Sequence, residues 1–238
     1  MKPPSTHSRR ILLKRGLALG GVSLLAGCRA EESRPLQSAL SAVSRFNDRV
    51  QAGLFDPLRL APTYPDSMIQ RPFPFNAYYR EDEVPAIDGG SWRLALSGLI
   101  ADTAPWTRGA LLSLPQASQV TRHICIEGWS AIGQWSGVPL GDFLRRVGAD
   151  LNAKFVTFRC ADDYFTSIDM ASALHPQTLL ALLQDGEVLP RRHGFPLKLR
   201  IPTKLGYKNP KHILAVSVGN HYTGGYWEDQ GYNWFGGS

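Results

Sequence analysis

The chain has 238 residues, of which 43% are hydrophobic and 19% are charged, a composition typical of a globular protein with a substantial core. Its formal net charge is +6, but five of its 26 basic residues and none of its 20 acidic residues precede Cys28. Without that N-terminal segment the balance is 21 against 20, so the composition gives no support to nucleic-acid binding.

Residues 1–27 have the features of an export signal. The pair Arg9 and Arg10 precedes an apolar run over 16–26, which is too short to span a bilayer. Twin-arginine signals direct proteins to export after they have folded. The run closes on Leu-Ala-Gly and Cys28, which resembles a lipobox; an ordinary signal peptide with a chance cysteine is the alternative. We therefore predict a periplasmic, extracytoplasmic protein with lipid attached to Cys28 and a membrane anchor that does not span the bilayer.

The mature chain is predicted to begin with a tether and a helical arm over residues 28–69. Apolar side chains recur there at spacings of three and four, as one face of a helix requires. They are Leu36, Leu40, Val43, Phe46 and Val50. Prolines and aromatic residues over 57–76 then predict an extended, irregular connection.

Residues 70–238 are predicted to form one domain of short strands with a few helices. Strand patterns lie near 92–98, 120–126, 154–160, 197–201 and 213–218, and a helical pattern over 140–147 stops at Gly148. A Gly-rich phosphate loop and a regular strand–helix alternation are both missing from the sequence, which argues against a doubly wound nucleotide-binding sheet. We predict an α+β domain with mixed, mainly antiparallel sheets.

One thiol stands in a distinctive setting. The segment reads Cys125-Ile126-Glu127-Gly128-Trp129-Ser130 and continues as Trp135-Ser136-Gly137-Val138-Pro139-Leu140. It resembles the metal-binding segment of the sulfite oxidase-like molybdopterin oxidoreductases. The resemblance implies the sulfite oxidase molybdopterin-binding fold, with the Cys125 sulfur as the only protein ligand to a molybdenum held by the pterin dithiolene. A soft, anionic thiolate suits a metal that is already bound by sulfur and must keep one position open.

The resemblance extends over roughly residues 70–235 and implies further cofactor contacts. Asn76 and Tyr79 match the Asn-x-x-Tyr segment of the family, although Arg80 departs from the Glu of its periplasmic methionine sulfoxide reductase branch. Cys160 stands where that branch has a threonine that contacts the pterin. Two segments similar to Asn/His-Gly-x-Pro-x-Arg and Gly-x-Lys-x-x-Lys supply the remaining candidates, which are His193, Lys198, Asn209 and Lys211.

The implied activity is a molybdopterin-dependent oxidoreductase with a molybdenum–molybdopterin cofactor. It would transfer an oxygen atom and two electrons to or from a small S-oxide, N-oxide or sulfite-like substrate. Arg122 and Arg159 are candidates for binding an anionic substrate. No C-x-x-C-H haem-attachment motif occurs in the sequence, so we expect a separate redox partner such as a membrane haem protein or a cytochrome c.

Three alternatives remain open at this level. Cys125 and Cys160 could form a disulfide in an oxidising compartment, which would remove the proposed ligand. The same two cysteines could serve a thiol–disulfide protein, although the sequence has no C-x-x-C motif. The chain could also be a non-catalytic lipoprotein that kept the fold as a binding module.

Overall fold

The computed structural model describes residues 34–238. The predicted signal segment and the predicted lipidation of Cys28 lie outside these residues. The chain divides after Arg49, and Val50–Ser238 forms one compact unit. Within the described part of the chain, no helix is both long enough and apolar enough to cross a membrane.

Four α-helices and ten strands make up most of the regular structure of the described residues. The helices are α1 (Arg34–Leu54), α2 (Arg108–Leu112), α3 (Leu140–Arg146) and α4 (Met170–Leu174). The strands are β1 (Arg93–Gly98), β2 (Trp106–Thr107), β3 (Ala117–Ile124), β4 (Ser130–Pro139), β5 (Phe155–Cys160), β6 (Phe165–Asp169), β7 (Leu179–Gln184), β8 (Glu187–Val188), β9 (Lys198–Arg200) and β10 (Ile213–Gly219).

The strands form two five-stranded sheets. The first has the order β2-β1-β10-β5-β6, and the second has the order β3-β4-β7-β8 with β9 also paired to β7. Every strand pair is antiparallel except β1 with β10, which is parallel. This architecture confirms the predicted α+β fold with mainly antiparallel sheets.

The main core lies between the two sheets. Alternating side chains of the strands point inward, as the burial of Leu94 and Leu96 in β1 shows. Phe158 from the first sheet and Leu182 and Leu199 from the second belong to the same buried cluster. Because both sheets share one core, the loops at their ends are held in fixed positions, and several of these loops form the candidate site.

Candidate functional site

The hairpin between β3 and β4 positions Cys125. The Cys125 amide donates to the Trp129 carbonyl at 2.9 Å, and the Gly128 amide donates back to the Cys125 carbonyl at 3.2 Å. Gly128 has a φ of 92°, a backbone conformation that a side chain disfavours. The motif therefore builds a tight turn that fixes the thiol at the end of the β3–β4 strand pair.

A cavity of about 230 Å³ opens beside this thiol. Five of the predicted site residues line it, from three separate parts of the chain. They are Asn76, Tyr79, Cys125, Asn209 and Lys211. The remaining wall includes Tyr78, Ile126, Glu127, Asp162, Tyr164, Gly206, Tyr207 and Trp227.

The Cys125 thiol is buried and lies beside a carboxylate. Its Sγ atom is 3.5 Å from Oε2 of Glu127, which also accepts a hydrogen bond from Nε1 of Trp129 at 2.9 Å. Burial, together with the Glu127 carboxylate, raises the pKa of Cys125 above its usual range. The sulfur therefore keeps its proton at neutral pH, and a metal that binds it must displace that proton.

Three buried cations near the cavity have no acidic partner. Within residues 34–238, no carboxylate lies within ion-pair distance of Lys198, Arg200 or Lys211. Burial lowers the pKa of Lys211 to about 8 and of Arg200 to about 9, and burial beside both of them lowers the pKa of Lys198 well below its usual range. Unpaired buried charge is costly, so this cluster calls for an anion.

Two other buried lysines, unlike Lys198, have acidic partners within the described residues. Lys204 lies 3.4 Å from a carboxylate oxygen of Asp169, and Lys208 forms an ion pair with Glu228. Both lysines are almost completely buried, as Lys198 is. In the part of the chain that the structure describes, Lys204 and Lys208 therefore have a carboxylate within ion-pair distance, whereas Lys198, Arg200 and Lys211 do not.

Arg200 is a site residue that the sequence analysis missed. Its guanidinium donates to Oδ1 of Asn209 at 3.1 Å and to the Arg122 carbonyl at 2.6 Å, and it stacks 4.4 Å from the centroid of Trp135. The Asn209 side chain also accepts from the Ile201 amide. Arg200 therefore ties the cavity loop around Asn209 to strand β3, next to Cys125.

The buried His123 adds an unsatisfied polar group. Nδ2 of Asn76 lies 3.4 Å from Nε2 of His123, while Nδ1 of His123 has no partner within the described residues. Burial, with the positive charge of Arg200 and Lys198, lowers the pKa of His123 well below its usual range, so the ring is neutral.

Gly206 brings the backbone close to that ring. A Cβ atom at position 206 would lie 2.8 Å from Nε2 of His123. Neither residue was identified from the sequence, since a lone histidine or glycine carries no local signal of such a site.

His193 and Cys160 lie in the protein interior rather than in the cavity wall. His193 is held between Gln184, at 2.7 Å, and Arg192, at 3.2 Å. Burial and the charge of Lys198 lower its pKa to about 3. Cys160 is buried within electrostatic range of Asp162, Lys211 and Lys198.

The structure does not bring Arg122 and Arg159 to Cys125. Arg122 lines a different cavity of about 580 Å³, where it stacks on Tyr64, and Arg159 is exposed on β5. Residues of opposite parity in a strand face opposite sides, which separates Arg122 from Cys125. Strand alternation in the sequence already contained that signal.

These features fit the expected cofactor. Both described cysteines are free, so the disulfide alternative loses its support. No cluster of three or more His, Cys, Asp or Glu side chains able to hold a metal occurs within residues 34–238. A metal at Cys125 would thus need ligands from a cofactor, and three buried cations without acids suit an anionic one. Asn76 and Lys211 line the cavity and are candidates to hold its polar and phosphate groups, whereas Lys198 lies outside the cavity wall.

Comparison with known proteins agrees with this assignment. The family described as "Oxidoreductase molybdopterin binding domain" matches residues 81–227. The chain is 65% identical to the putative protein-methionine-sulfoxide reductase subunit YedZ1 of Azospira oryzae, over 97% of this chain and 88% of that protein. It is 33% identical to the protein-methionine-sulfoxide reductase catalytic subunit MsrP of Burkholderia mallei, over 52% of this chain and 43% of that protein.

A solved structure supports the fold. The sulfane dehydrogenase SoxCD of Paracoccus pantotrophus superposes with a TM-score of 0.55 and 20% identity, over 59% of this chain and 41% of that chain. At 20% identity, this similarity shows a shared fold and no more. The family match spans more than half of the chain and includes Cys125 and the three unpaired cations. This chain therefore belongs to the molybdopterin-binding oxidoreductase family.

Proposed function

We propose that this chain is the catalytic subunit of an extracytoplasmic molybdenum enzyme that reduces sulfoxides, with methionine sulfoxide in proteins as the substrate class. The names of the relatives from Azospira and Burkholderia support the substrate class. A small S- or N-oxide is the broader form of the same proposal.

One observation carries the proposal: Cys125 shares its cavity with Lys211, and Lys211 and Arg200 both lie within electrostatic range of the buried Lys198. A single soft ligand beside buried, uncompensated positive charge is suited to an anionic metal cofactor. When bound, the molybdenum–molybdopterin group supplies two-electron oxygen-atom transfer chemistry. Cys125 would hold the metal, and the cations would neutralise the anionic groups of the pterin.

The protein itself would hold a proton on Tyr79 in the cavity wall. Reduction of a sulfoxide takes up two electrons and two protons and releases the sulfide and water. Tyr79 donates a hydrogen bond to Oδ2 of Asp162 at 2.7 Å in the cavity wall. Burial and this carboxylate raise the pKa of Tyr79, so its Oη atom keeps its proton at neutral pH. Because Asp162 already accepts this one proton, Tyr79 would donate to a polar substrate oxygen only by exchanging Asp162 for it.

The cavity rim suits a thioether side chain. Tyr78 and Trp227 are 6.4 Å apart between ring centroids, and Ile126 is exposed next to Cys125. Sulfur and methyl groups pack favourably on aromatic rings. This rim would receive the apolar end of a methionine sulfoxide side chain.

Electrons would come from a separate partner. The word "subunit" in the names of both relatives supports a multi-protein enzyme. We propose a membrane haem protein or a cytochrome c as the partner, with this chain exported by the twin-arginine route and anchored through lipid at Cys28. The export route and the lipid anchor are proposed from the sequence.

The decisive experiment compares Cys125→Ser with Cys160→Ser in protein matured in a host that makes the cofactor. Metal analysis by mass spectrometry should find near-stoichiometric molybdenum in the wild type and in Cys160→Ser, and little in Cys125→Ser. Circular dichroism should show all three folded. A folded wild type without molybdenum or pterin would instead support the binding module.

Substrate class needs a separate assay. With a reduced viologen dye as electron donor, the wild type should reduce methionine sulfoxide in an oxidised protein and in a short peptide. Loading with molybdenum but no turnover of any sulfoxide would overturn the reductase proposal while leaving the cofactor assignment intact.

A further inference from the structure

The apolar side of helix α1 is exposed. Leu40, Phe46 and Leu54 are 60%, 63% and 80% exposed. The exposed large apolar side chains on the helix are Leu36, Leu40, Val43, Phe46, Val50 and Leu54. At about 100° per residue these positions share an arc of about 120°, so they form one continuous apolar face.

A helix of a globular protein normally buries such a face, and a large exposed apolar face marks an interaction surface. The rest of α1 is polar and net basic. Arg45 and Arg49 are exposed, and Asp48 is the one acidic residue in the helix sequence. An apolar face on a helix whose polar side carries arginines is the pattern of helices that lie in the surface of an anionic bilayer.

The position of α1 in the chain points to the same partner. Only six positions separate Arg34, where the helix begins, from the predicted lipid-bearing Cys28. Fully extended, that segment spans about 20 Å, so lipid at Cys28 would hold the start of the helix beside the membrane.

We propose that α1 binds the surface of an anionic phospholipid bilayer, with its apolar face in the boundary between headgroups and acyl chains. The apolar side chains would contribute by leaving water, and the arginines by attraction to the lipid phosphates. This contact acts in addition to the lipid anchor and is independent of the reaction at Cys125.

The test measures vesicle binding by the chain from position 28 onward with Cys28→Ser, which carries neither the signal segment nor the lipid. Vesicles of phosphatidylethanolamine and phosphatidylglycerol are floated on a density gradient. Leu40→Asp with Phe46→Asp should weaken partitioning at least about tenfold, because two buried apolar groups are lost. Ser38→Asp with Ser41→Asp adds the same charge at exposed positions off the apolar face and should weaken partitioning less, because the apolar side chains are kept.

Circular dichroism and molybdenum content should be unchanged in both double variants. Failure of the unlipidated wild type to float would overturn the proposal, and so would equal losses in the two double variants. Concentration-dependent dimers in analytical ultracentrifugation that only Leu40→Asp with Phe46→Asp dissolves, without vesicle binding, would assign the face to a second copy of the chain instead.

Discussion

Arg200 and Asn209 hold each other in the wall of the cavity. A guanidinium nitrogen of Arg200 donates to Oδ1 of Asn209 at 3.1 Å, and Nδ2 of Asn209 donates to the Leu205 carbonyl at 3.0 Å. Oδ1 of Asn209 also accepts from the Ile201 amide, so both acceptor positions of this oxygen are used by the protein. The place of Asn209 in the cavity depends on a buried arginine from strand β9, nine positions earlier in the chain.

Replacing Asn209 by Ala should therefore loosen the cavity loop. It leaves Arg200 and the Ile201 amide with one acceptor fewer in a buried place, which should cost about 2–4 kcal/mol of the free energy of unfolding. Urea unfolding measures that loss, and metal analysis should show less molybdenum retained. The exposed Asn152→Ala is the control. Unchanged stability and cofactor content would show that Asn209 does not hold the cavity loop in place.

Lys198→Met and Lys208→Met should have opposite effects on the cofactor-free protein. Lys198 has no acidic partner within the described residues, so removing its charge should stabilise the fold by about 1–3 kcal/mol. Lys208→Met would leave Glu228 buried and uncompensated, at a cost of about 3–5 kcal/mol. Urea unfolding distinguishes the two signs.

Lys198→Met should weaken cofactor binding, although it should stabilise the cofactor-free protein. Lys198→Met protein should retain less molybdenum and pterin than the wild type, because an anionic group loses a buried cation. A variant that is both more stable and fully loaded would show that Lys198 has no role in the site.

His193 should make the cofactor-free protein sensitive to acid. Its pKa is about 3 in the folded state against about 6.5 when unfolded, so the unfolded chain binds a proton first. Stability should fall as the pH drops from about 6.5 towards 3, by about 2 kcal/mol after allowance for screening. His193→Gln should reduce the dependence of stability on pH, whereas replacement of the exposed His221 by Gln should leave that dependence unchanged. Identical slopes in all three proteins would exclude His193 as the cause.

The twin-arginine pair should control where the loaded protein accumulates. Arg9→Lys with Arg10→Lys keeps the charge of the segment and removes the pair, so the protein should remain in the cytoplasm. Fractionation followed by metal analysis measures this, with Lys14→Arg as the control. Molybdenum-loaded protein at wild-type level in the periplasm would contradict the twin-arginine prediction.

The sequence by itself determined the parts of this protein that depend on local pattern. The Cys125 turn, the alternating strands near 93–98 and 213–219, and the helix over 140–146 follow from residue spacing and from glycine at a strained position. The family resemblance added Asn76, Tyr79 and Lys211, which the structure brings into one cavity with Cys125.

Only the tertiary structure decided which charges are left without partners. Lys198, Lys204 and Lys208 look alike in the sequence, yet two of them meet carboxylates from distant segments and one does not. Arg200 likewise acquires its role from strand β3 and the loop at Asn209. The energy of a buried charge depends on every group packed around it, and those groups come from positions far apart in the chain.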